Sequence, residues 1–158
     1  ILNISNELEQ NSNKLLYSID YHKILEKSID SIWANTPQKD LNKKLLENKG
    51  FSQIPNWKGI GLSKLNTSSY NSALISNIFP GMQPDIVESV SKTYQDIEIY
   101  NSIREKILNR FYNIDSNTKY IDVLLIIEII KGDVIDFENK LHKEITNLTK
   151  LLNKKFVE

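Results

Sequence analysis

Apolar residues recur at helical spacing from the first residue onward. Ile1, Leu8, Leu15, His22 and Ile29 fall at one position of a seven-residue repeat, and Ile4, Asn11, Ser18, Leu25 and Ile32 at the other. This is an apolar seam interrupted by polar residues. No Pro or Gly occurs before Pro37, so residues 1–35 are expected to form one long helix. The periodicity is already running at Ile1 with no start signal before it. Either the helix begins upstream, or it starts near Ser5 or Asn6; the chain is expected to be a fragment of a longer protein.

Beyond Thr36 the pattern is shorter in range. Thr36 can cap and Pro37 suits a first helical position, which predicts a short helix to about Lys49 with Leu41, Leu45 and Leu46 inward. Gly50 is expected to close it in the left-handed conformation. Residues 51–64 combine Pro55, Gly59 and Gly61 with Phe51, Ile54, Trp57 and Ile60, and read as an ordered loop pinned by aromatics. Asn66 or Thr67 can cap a third helix to about Asn77, with Tyr70, Ala73, Leu74 and Asn77 on one face. Phe79-Pro80-Gly81-Met82 breaks it, and Pro84 opens a second long helix, with helical spacing from Ile86 to Ile114. The run 120–130 is apolar almost all round, so it is expected to be the most buried helix, stopped by Gly132. Asp133 is expected to cap a last helix that turns Phe137, Leu141, Ile145, Leu148 and Leu152 inward. The fold class that follows is an all-α helical bundle in a single domain, 1–158. Its long members are the N-terminal, middle (about 84–114) and C-terminal helices, with shorter helices and an aromatic-pinned loop between them.

Composition narrows function mainly by exclusion. Lys+Arg and Asp+Glu balance at 20 each, which argues against nucleic acid as a partner. The absence of Cys removes thiol nucleophiles, disulfides and thiolate metal sites. No apolar run is long enough to span a bilayer, so membrane contact is expected only through a segment outside this chain. Charge is uneven: residues 36–66 sum to +4, and residues 67–82 carry none.

Few residue sets carry chemistry. His22 and Glu26 are four apart on the first helix, and Glu138 and His142 four apart on the last. Antiparallel packing would gather them as candidate metal ligands, although surface pairs at this spacing are ordinary. Trp57, Tyr70, Phe79, Met82 and Tyr94, with Ser72 and Asn77, form a candidate ligand pocket beside the uncharged segment. There is no nucleophile-elbow turn, no phosphate-binding loop and no dinucleotide fingerprint. No enzymatic role and no cofactor is expected.

Residues Gly61-Leu62-Ser63-Lys64-Leu65-Asn66-Thr67-Ser68-Ser69-Tyr70-Asn71-Ser72-Ala73-Leu74, continuing to Thr93-Tyr94, resemble a pattern in uncharacterised bacterial proteins that carry one N-terminal transmembrane helix before a helical extracytoplasmic domain. Here Tyr70 replaces the more frequent Trp, and the break through Ile78–Gly81 is unusual for the pattern. The resemblance implies location and topology: a helical domain at the periplasmic or outer surface, anchored by an upstream helix. The role expected for such a domain is non-enzymatic, sensory or scaffolding. The alternatives are a cytoplasmic interaction module, dimerising through the helix of residues 1–35, and a metal- or small-molecule-binding bundle.

Overall fold

The computed structural model describes residues 1–156. It is an all-α helical bundle, with no strand among the described residues beyond a single antiparallel bridge, Lys44 to Lys119. Helix α1 runs over Leu2–Asn35, about 50 Å at 1.5 Å per residue. Its main partner is α6, Ile135–Phe156, and the two are antiparallel: Ser5 hydrogen-bonds Asn153, Ser12 Thr146 and His22 Glu138. Every seam position from Ile4 to Ile32 is buried. The seam is thus consumed inside the fold. The face of α1 left in solvent carries Leu16, Tyr17 and Ile24.

The seam runs through two apolar clusters. Ile4, Leu8 and Leu15 pack with Val90, Tyr94 and Ile97 of α4 (Pro84–Tyr112) and with Leu141 to Leu152 of α6. Leu25, Ile29 and Ile32 pack with Leu41, Leu45, Ile54 and α5 (Tyr120–Ile129). Between them α1 buries Ser18 and His22.

Several expected boundaries move. The helix expected from Pro37 to Lys49 is only α2, Gln38–Leu41, followed by a 3-10 turn over Leu45–Asn48. Lys43 and Lys44 leave helical geometry because their backbone pairs with the chain before α5: Leu45 N–H donates to the Thr118 carbonyl and Tyr120 N–H to that of Lys43. Leu41 and Leu45 are buried as expected, whereas Leu46 is exposed. Pro37, not Thr36, holds the cap position. Helix α3 covers Ser68–Ile75 with Ala73 inward, but Leu74 and Asn77 face solvent, and Asn77 turns the chain at φ 51°. The α5 run is not buried all round, since it lies at the side of the bundle and exposes Leu125.

Gly132 does not stop the helix, and Asp133 provides no cap. The chain passes from α5 into α6 through a π-turn at Ile130–Val134 whose backbone stays helical. Wide turns of this kind accommodate an extra residue without breaking the rod. A Cβ at Gly132 would meet nothing within 4 Å. Gly132→Ala is therefore expected to raise the unfolding free energy by about 0.5–1 kcal/mol through reduced freedom of the unfolded chain. Urea titration checks this; a loss of stability would mean that the turn needs glycine.

Candidate functional site

Residues 54–67 have no regular secondary structure, yet they lie across the bundle with Ile54, Leu62 and Leu65 buried. Buried main-chain groups need partners, and a segment without helix or ladder must find them in side chains. Here α1 and α4 supply them. The Tyr21 hydroxyl donates to the Gly59 carbonyl at 2.7 Å and accepts from Lys58 N–H at 2.9 Å. Arg104 Nε donates to Leu62 O at 2.9 Å. Asn101 holds both the N–H and the carbonyl of Leu65, at 2.9 and 3.0 Å, and Asn11 does the same for Asn66, both at 2.8 Å. Two asparagine amides thus stand in for the neighbouring strand that this strap lacks.

At the middle of the strap lies a fully buried polar pair. His22 Nδ1 and Glu138 Oε2 are 2.7 Å apart, with both side chains 0% exposed. His22 Nε2 lies 2.8 Å from the Ile60 carbonyl. A carbonyl only accepts, so Nε2 carries a proton. One further proton is then shared between Nδ1 and the Glu138 carboxyl. Glu138 Oε1 accepts from the Tyr100 hydroxyl at 3.0 Å, and burial, followed by the adjacent carboxylate, pushes that phenol far above its ordinary range. Ser18 Oγ is buried and faces the same phenol. Each polar atom of the His22–Glu138 pair is committed to a helix or the strap. The arrangement resembles an acid–base pair, and it ties four elements together: α1, α4, α6 and the strap.

A second carboxylate ends the strap. Thr67 occupies the cap position of α3, but its hydroxyl accepts from the Asn71 amide and caps no backbone N–H. Glu7 of α1 does this work instead: it accepts from Ser69 N–H and Ser68 Oγ, both at 2.9 Å, and from the Tyr94 hydroxyl at 2.8 Å. Burial pushes the Glu7 carboxyl up, but the hydrogen bonds from Ser69, Tyr94 and Ser68 outweigh it and hold the carboxyl below the ordinary glutamate range. A depressed folded pKa gives stability that is present above the unfolded pKa and lost as pH falls through the folded one. Glu7→Gln is expected to cost about 1–3 kcal/mol at neutral pH, with the gap to wild type closing as the pH falls below the glutamate range. Urea titrations at neutral and acid pH test this; a gap independent of pH would assign the effect to shape alone.

No family model, curated protein or solved structure matches this chain.

The expected metal set does not assemble. His22 and Glu138 meet, but Glu26 and His142 are half-buried outside their contact, and among the described residues no group of three or more His, Asp or Glu side chains is placed to hold a metal. The expected pocket divides as well. Tyr70 stacks on Tyr94 at 4.3 Å and tilts against Phe79 at 5.9 Å, with Met82 in the same cluster, so these four are packing. Trp57 lies in the other cluster, stacked on both Phe51 and Phe111, which also touch each other. Ser72 lines a shallow groove of about 270 Å³ with Ile1 and Ile78, and Asn77 forms the turn after α3.

Sequence reasoning picked out Asn11 and Ser18 only as interruptions of the seam, Glu138 only as a metal ligand, and His22 as both. It missed Glu7, Tyr21, Tyr100, Asn101 and Arg104. For two of these a signal existed: on α4 the inward line Val90, Tyr94, Ile97 continues through Asn101 and Arg104 at helical spacing. A polar residue on an apolar line marks a place where something non-helical has to be hydrogen-bonded.

Proposed function

We propose that the chain is a non-enzymatic helical domain of a bacterial membrane-anchored protein, held outside the cytoplasm, with a sensory or scaffolding role. The observation that carries the non-enzymatic part is the use made of the ionisable residues. Glu7, His22, Tyr100 and Glu138, the groups best suited to chemistry, are buried and spent on fixing the strap and α3 to α1. A sensory role is supported by α1, a single rod that touches α3, α5 and α6 along its length. Displacing one end of such a rod shifts everything clamped to it. The membrane part rests on the sequence resemblance. Fractionating cells that express the natural gene, with protease added from outside, tests it. Recovery in the membrane pellet with outside cleavage is expected; soluble recovery from the cytoplasm would replace it with the alternative below.

A cytoplasmic interaction module is favoured by one observation, the exposed Leu16, Tyr17 and Ile24 on the outer face of α1. Self-association through residues 1–35 would use this face, because the seam is already occupied. Light scattering across a concentration series, with Tyr17→Asp as the control, decides between a monomer and such a dimer.

A further inference from the structure

The end of the bundle where α1 begins has a surface unlike the rest. Ile1, Asn3 and Ile4 share a groove there with Ser68, Ala73 and Ile78. The last turn of α6 reaches the same end, where Ser5 bonds Asn153 and Lys155 bonds Gln83. Residues 67–82 carry no charge, and residues 74–78 are exposed throughout. Leu2 is 56%, Leu74 49%, Ile75 87% and Ile78 43% exposed. Such a group of aliphatic side chains in water is a surface waiting for a cover.

Size and charge say which cover fits. The exposed area of these four residues is on the order of 400 Å², about half of the ~800 Å² that one partner contributes to a standard protein interface. A bilayer makes no such demand: it admits a few aliphatic side chains from a convex tip, provided no charge has to enter with them. Around the tip, Lys150, Lys154 and Lys155 stand exposed on the last turns of α6 beside the exposed Phe156. Asp85, in the first turn of α4, is the acid next in sequence to the uncharged segment. Lysines at the rim of an aliphatic tip match the phosphates of a headgroup layer.

We propose that this uncharged end is a docking surface for a bilayer containing anionic lipid, with Leu74 and Ile75 entering the interfacial layer and Lys154 and Lys155 meeting headgroup phosphates. The contact belongs to the bundle itself, so it goes beyond the anchored reading and stands whether or not an anchor exists. Vesicle flotation of the chain tests it, using phosphatidylcholine vesicles with and without phosphatidylglycerol. Binding to the phosphatidylglycerol vesicles is expected, at least roughly tenfold weaker in Ile75→Asp and weaker in Lys154→Glu/Lys155→Glu. Leu46→Asp, exposed near the opposite end, is expected to bind as wild type. Circular dichroism and thermal melts of Ile75→Asp should match wild type, because the side chain is almost free of contacts. The proposal is overturned by absence of flotation, by equal binding to both vesicle types, by an equal loss in Leu46→Asp, or by a dimer in light scattering that Ile75→Asp dissolves.

Discussion

Glu138→Ala is expected to lower the unfolding free energy by about 3–5 kcal/mol, because it breaks a buried pair by removing one partner. The substitution leaves His22 Nδ1 and the Tyr100 hydroxyl facing an empty space that water does not reach easily, and both groups lose a partner they cannot replace. Glu138→Gln makes the contrast. Its amide oxygen can accept from Tyr100 and its amide N–H can donate to Nδ1 of a neutral imidazole, whose Nε2–H still serves Ile60. The pattern of bonds survives while the charge goes, so a loss of only about 1 kcal/mol is expected. Urea titration of both variants at neutral pH measures the difference. Equal losses would mean that the charge of the pair, and not its hydrogen-bond geometry, holds the strap.

Gly61→Ala is expected to cost about 3–5 kcal/mol, from left-handed backbone strain and overpacking together. Gly61 has φ +69°, and a Cβ there would lie 2.2 Å from Tyr21 Cδ1, 2.6 Å from Cε1 and 2.9 Å from His22 Nε2. Neither neighbour can yield cheaply. Tyr21 is held by Gly59 and Lys58, and His22 by Glu138 and Ile60. Gly59→Ala separates the two causes. It shares a positive φ, +92°, but its Cβ would meet nothing within 4 Å, so only the conformational cost of about 1–3 kcal/mol is expected. If the two alanine variants proved equally stable, close packing under Tyr21 would be irrelevant.

The rod and the bundle were legible in the sequence because helical periodicity is a local signal repeated many times. The seam residues from Ile4 to Ile32 are all buried, and α4 and α6 turn their apolar lines inward. What the pattern concealed were interactions between residues distant in sequence. Gly132 reads as a stop from its propensity, but a packed rod tolerates glycine in a π-turn. Thr67 reads as a cap, but Glu7 reaches α3 from another helix and replaces it. Lys43 and Lys44 read as helical until the chain before α5 offers their backbone a partner. The polar centre was half visible. Antiparallel packing of the first and last helices is expected to bring His22 and Glu138 together, and it does, but the register that pairs these two and leaves Glu26 and His142 outside is contained in no local window.

The strap also sets an order of events. Its anchors join positions 36 to 62 residues apart, so each closes a long loop onto α1 or α4 and carries a chain-entropy cost. The segment should therefore be among the last to settle during folding. Once settled, the amides of Leu65 and Asn66 should exchange with solvent deuterium as slowly as those of helix interiors, since releasing them requires the rods on either side to part.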